Sequence, residues 1–107
     1  MIWLIEVKDP ADVFAVPEIR RHLDRFYVTH KKDKAYADQL NAKHMDLSPY
    51  TADVAAALRL AATAEPYKIQ PIFVTRRPVP AAFVNGPFPF ATLRNLTRTL
   101  AALEQNS

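Results

Sequence analysis

The sequence predicts one small α/β domain, a small mixed or parallel sheet flanked by about four helices. Three observations lead there. The chain has 107 residues, 50% of them hydrophobic, which is enough for one core and too little for two. Two runs, Ile2–Lys8 and Ile69–Thr75, have strand composition, and residues 9–68 between them carry helical periodicity. A strand, a long helical connection and a second strand form a crossover. Such a connection brings both strands into one sheet, most simply in parallel.

Taken in order, Ile2–Lys8 is rich in β-branched and aromatic residues, with Ile2 and Leu4 on one face and Trp3, Ile5 and Val7 on the other. A strand apolar on both faces is expected inside a sheet covered by helices on each side. Asp9-Pro10 ends it. Pro17 suits the first turn of a helix whose inner stripe is Ile19, Leu23 and Phe26. Lys31-Lys32-Asp33 reads as a charged turn. A second helix is expected over Lys34–Met45, with Tyr36, Leu40 and His44 aligned. Ser48-Pro49 then restarts a third, from Pro49 to about Thr63, expected to bury Val54, Leu58 and Ala61.

Pro71 cannot donate to a ladder, so the strand Ile69–Thr75 is expected at an edge or at a bulge. Around Asn85-Gly86, which holds the only glycine, Ala81–Val84 and Phe88–Ala91 are expected as short strands. A last helix from about Thr92 to Leu103 aligns Leu93, Leu96, Leu100 and Leu103. Two firm strands and two short ones make a thin sheet for four helices, at the bottom of the usual four to six or so. Missing upstream strands, a second copy or a partner are expected to complete it.

Composition removes several function classes. Without cysteine there is no disulfide, thiolate metal ligand or thiol nucleophile, which fits a reducing interior. Met1–Pro10 carries Glu6 and Asp9 in place of a basic leader, so no signal peptide is expected. The apolar stretch Ala55–Ala64 is interrupted by Arg59 and is too short to span a bilayer. A cytoplasmic protein with no membrane partner is expected. The net charge of +3 is unevenly spread: residues 17–34 and 67–107 are basic, and 1–16 and 35–66 are acidic. Two basic segments around an acidic opening strand suit a polyanion surface that holds a cation. Solvated helix faces account for the same charges.

One constellation carries chemistry. Strand alternation puts Ile2, Leu4, Glu6 and Lys8 on one face, so an apolar face ends in a carboxylate and an ammonium, roughly 6–7 Å apart along the strand. That spacing suits one metal-bound phosphate: Glu6 gives oxygen to a hard cation, and Lys8 orients water or steadies the pentavalent phosphate. Leu4-Ile5-Glu6-Val7-Lys8-Asp9 resembles the second half of the signature of the PD-(D/E)XK, or restriction-endonuclease-like, nucleases. That signature is an acid, any residue and a lysine on a strand that precedes a helix.

The order strand, helices, strand, helix matches that family's layout, while the specific match is confined to Glu6 and Lys8. The resemblance implies a restriction-endonuclease-like core and phosphodiester hydrolysis. Glu6 and Lys8 would be catalytic, Glu6 and the Val7 carbonyl would be ligands of Mg2+ or Mn2+, and nucleic acid, DNA ahead of RNA, would be the partner. The family's other acid lies on a hairpin upstream of this strand, so it is not expected within this sequence, whose first strand starts at Ile2. Three alternatives stay open: part of a larger nuclease, another carboxylate as substitute, or an inactive module. A non-catalytic assembly module of the same fold, completed by a partner or by homodimerisation, is the competing reading.

The remaining candidates are weaker. Arg76-Arg77 follows the second strand; in a parallel sheet it ends on the same edge as Lys8, where ligands of open α/β sheets bind. It is the best phosphate-contact pair outside the motif, ahead of Lys31 and Lys32. His22, His30 and His44 show no ligand-pair spacing and read as structural, with His44 expected to be a partly buried packing residue. One glycine builds no phosphate loop. Phe83, Phe88 and Phe90, set among prolines, read as pinning a loop rather than stacking bases.

Overall fold

The computed structural model describes residues 1–63 and 65–106. Its centre is a three-stranded, all-parallel sheet formed by β1 (Ile2–Lys8), β2 (Ile69–Thr75) and β3 (Phe90–Thr92), in that spatial order. Helices α1 (Val16–Tyr27), α2 (Tyr36–Leu47) and α3 (Thr51–Ala57) lie between β1 and β2, and α4 (Leu96–Gln105) follows β3. The crossover and the parallel pairing are as the spacing predicts.

The expected strand positions are exchanged. β2 is the central strand, and β1, expected inside, is an edge. Pro71 tolerates the centre because of the ladder's parity. The Ile2 N–H donates to the Lys68 carbonyl (2.7 Å) and the Phe73 N–H to the Pro89 carbonyl (3.1 Å). Amides of odd-numbered β2 residues therefore point towards β3. β3 pairs only with Phe73–Thr75, so the proline nitrogen faces a position no strand reaches and costs no ladder bond.

Two layers cover the sheet unequally. On one face Ile2, Leu4, Ile69 and Phe73 pack beneath α1, α2 and α3, and Phe26 meets Phe73 edge-on at 5.4 Å between ring centroids. On the other face α4 lays Leu96, Leu100 and Leu103 on Ile72, Val74 and Ala91. Trp3 packs there too, and its Nε1 donates to Glu104 (2.8 Å). The helix does not reach the tip of β1, so Ile5 and Val7 are 41% and 60% exposed.

Several element boundaries differ from expectation. The third helix is short: Ser48–Tyr50 is a 3-10 turn and α3 ends at Ala57. The Leu60 N–H bonds the Ala55 carbonyl and the Arg59 N–H the Ala56 carbonyl, both at 3.0 Å, with Arg59 left-handed at φ 57°. That is a Schellman stop with arginine where glycine is usual. Leu58 and Ala61 are consequently exposed and Val54 only half-buried, which corrects the expected stripe. Residues 80–83 form a 3-10 turn instead of a strand, and Phe83 is exposed. Ala64, the end of the apolar stretch, lies outside the described residues; among those described, no helix is long and apolar enough to cross a membrane.

His22, which the sequence places beside the helix stripe, is buried, and its Nε2 accepts the Ala81 N–H (3.2 Å). Tyr27 donates its hydroxyl to the Ala81 carbonyl (2.6 Å), so α1 grips both polar groups of one residue. Accepting a hydrogen bond requires a neutral ring nitrogen, and burial pushes the His22 pKa below its ordinary value of 6.5. A histidine with a lowered folded-state pKa stabilises the fold fully above the unfolded value, and that part is lost as pH falls through the folded value. Stability measured by urea denaturation is expected to drop as pH falls below about 6.5, and His22→Gln is expected to remove this component. An unchanged pH profile for the variant would assign the loss elsewhere.

Candidate functional site

Glu6 and Lys8 project together from the helix-covered face of β1 at its C-terminal half, as alternation requires. Their side chains are 19% and 21% exposed, half-sheltered rather than splayed into solvent, and Lys8 Nζ lies 3.4 Å from Glu6 Oε1. The sequence reading missed a third member. Lys43 reaches from α2 and donates to Glu6 Oε2 at 2.9 Å, so each carboxylate oxygen faces an ammonium. A signal was present: Tyr36, Leu40 and Lys43 fall at i, i+4 and i+7 on the helix face that buries Leu40.

Tyr36 is the fourth member. Its ring centroid lies 4.1 Å from Lys8 Nζ and 4.3 Å from Arg25 Cζ, so one aromatic ring holds two cations. Partial burial pushes the Glu6 carboxyl pKa up, but the hydrogen bond and charge of Lys43 and the charge of Lys8 outweigh it. The net direction is down from 4.5, and Glu6 is ionised at neutral pH.

The other predicted residues separate. Because Lys8 pairs with Thr75 in the last rung, the chain segments leaving β1 and β2 start side by side. Arg76 Nε lies 3.4 Å from Asp9 Oδ1, and Arg77 Nη1 lies 3.0 Å from Asp12 Oδ2. These four side chains and the buried Thr75 line a cleft of about 220 Å3 at the C-terminal strand ends. Arg76 and Arg77 thus share the edge of Lys8, as parallel pairing predicts. Asp12 was not anticipated there. Lys31 and Lys32 are exposed in the turn before Tyr36, where the His30 and Asp33 backbones bond each other; no contact ties either lysine to Glu6. His44 is half-buried as expected and bonds the Ile69 carbonyl through Nε2 (2.9 Å).

The donor set can be tested for Mg2+ or Mn2+. A hard dication takes several oxygens, usually including more than one carboxylate or a substrate phosphate. Among the described residues Glu6 is the one carboxylate in this set of ion pairs, and it faces two ammoniums. Among the described residues no group of three or more His, Asp or Glu side chains is placed to hold a metal. By parity the Val7 carbonyl points to the open edge of the sheet, away from β2. These residues alone do not form a metal centre.

Comparison with known proteins finds no matching family model, no matching curated protein and no matching solved structure.

Lys43→Met is expected to move the Glu6 carboxyl titration upward, read from the side-chain carboxyl 13C shift, because the desolvation remains while the strongest counter-charge is gone. A midpoint unchanged by the substitution would show that Lys43 is not the partner that holds Glu6 ionised.

Proposed function

We propose that the chain is a nuclease-like module that engages the phosphodiester backbone of nucleic acid, DNA ahead of RNA, and carries the lysine-bearing half of a hydrolytic site. The observation behind this reading is the joint projection of Glu6 and Lys8 from one strand tip, with Arg76 and Arg77 at the tip of the adjacent parallel strand. In this reading Glu6 fixes the Lys8 ammonium, and the Tyr36 ring also supports it. Lys8 then meets a phosphate oxygen as a positioned charge, worth more in a half-sheltered site than in open water. A second carboxylate, brought by a polypeptide segment lying along the outer edge of β1, would be needed before a divalent ion could be held.

Binding of a labelled DNA duplex, followed by fluorescence anisotropy, is expected to weaken linearly in log–log terms as salt rises from about 50 to 200 mM. Lys8→Ala and the paired change Arg76→Ala/Arg77→Ala are each expected to lower affinity, with the salt slope falling by roughly 0.9 for each phosphate no longer neutralised. The chain alone with Mg2+ is expected to leave the duplex uncut. Affinity indifferent to Lys8→Ala would remove the proposed site.

A second reading, an assembly module, is favoured by the edge of β1. Trp3, Ile5 and Val7 turn their backbone groups outward, and Ile5 and Val7 leave apolar surface open beside them. Such an edge pairs readily with another strand. Two copies joined there would make one continuous sheet. Mass in solution at tens of micromolar is expected to be that of a dimer on this reading, and Ile5→Lys/Val7→Lys to return it to monomer. A monomer at every concentration would end the reading.

A further inference from the structure

The loop leaving β1 and the loop leaving β2 are joined by two parallel ion pairs, Asp9–Arg76 and Asp12–Arg77, across one cleft. All four side chains are more than half exposed. The pairs meet through Nε of Arg76 and one Nη of Arg77, and Arg77 makes one hydrogen bond to Asp12. A guanidinium offers a two-pronged fork to a carboxylate or phosphate, so neither arginine is used to its full capacity. Exposed pairs of this kind contribute little stability and exchange readily. The backbone beneath them is fixed: Thr75 is buried, its hydroxyl donates to the Arg77 carbonyl (2.7 Å), and its carbonyl accepts the Leu93 N–H (2.9 Å). Side chains can therefore swap partners here without any shift of the strand ends.

From this arrangement, and resting on the nucleic-acid reading above, we infer that the cleft is an exchange clasp for a nucleic-acid phosphodiester. In the free chain Asp9 and Asp12 hold Arg76 and Arg77. A backbone phosphate entering the cleft takes the guanidiniums and displaces the carboxylates. The two acids act as built-in competitors of the ligand. They hold down affinity for any stray polyanion, and only a phosphate that reaches both arginines together recovers the loss. The carboxylates stay beside the bound phosphate after displacement, so like-charge repulsion adds to the competition.

The test is a double-mutant cycle on affinity for a labelled DNA duplex at fixed low salt. Asp9→Asn and Asp12→Asn keep the size of each side chain and remove its charge at exposed positions, so folding is not at stake. Asp53→Asn removes the same charge from α3, which packs on Ile2 and Ile69 at the opposite ends of the strands. It measures what a change of net charge does by itself. Each clasp variant is expected to tighten binding about fivefold beyond that control. The gain from Asp9→Asn is expected to vanish in an Arg76→Ala background, and that from Asp12→Asn in an Arg77→Ala background. Clasp variants that match Asp53→Asn, or gains that survive removal of the paired arginine, overturn the clasp while leaving nucleic-acid binding standing. Absence of binding by the wild type and every variant overturns both.

Discussion

The position of β2 between its two neighbours and between two helical layers is the constraint from which the rest of this molecule follows. Five consecutive residues, Pro71 to Thr75, are buried, and the strand is hydrogen-bonded on both sides only where β3 runs beside it. Phe73 anchors the aromatic packing with Phe26, Phe88 and Phe90 on one face, while Ile72 and Val74 receive α4 on the other. With β2 held there, β1 has one neighbour and one open side. Its last residue stands opposite Thr75, and the loops that follow both strands meet at one rim. Site and open edge are two consequences of one placement.

Strand positions were legible in composition and their order was not. β1 and β2 coincide with the residues that β-branched and aromatic content marks, and their parallel relation follows from the length of the connection. Which strand is central depends on β3, three residues long and preceded by prolines, whose pairing no local pattern announces. Pro71 pointed to an edge or a bulge by a rule that assumes a full-length neighbour on each side; here the neighbour is shorter than the strand it joins. The third helix illustrates the complementary failure. Its alanine-rich sequence permits a longer helix, and a left-handed arginine stops it after two turns, a tertiary choice that propensity alone does not reveal.

Of the site, residues on one element could be paired from sequence, whereas for residues brought from another the sequence showed at most the helix face they share, as for Tyr36 and Lys43, and not what they meet. Glu6 with Lys8 comes from alternation within a strand, and Arg76 with Arg77 from the shared direction of two strands. Lys43, Tyr36, Asp9 and Asp12 join them through contacts that only the assembled chain creates, such as a pairing 37 residues apart between Lys43 and Glu6. These additions change the chemistry. A lone carboxylate read from sequence invites a metal; the same carboxylate between two ammoniums is already satisfied. Two arginines read from sequence invite a polyanion; in the fold each is already paired with an acid.

Amide hydrogen exchange along β1, followed residue by residue in dilute solution, tests the edge placement most directly. Among the described residues only one side of the strand has a partner, so protection is expected to alternate: slow exchange at Leu4 and Glu6, whose N–H groups face β2, and fast exchange at Ile5 and Val7, whose N–H groups face outward. Equal, concentration-independent protection of all four in the monomer would place a strand on the outer side, and the edge position of β1 would be contradicted.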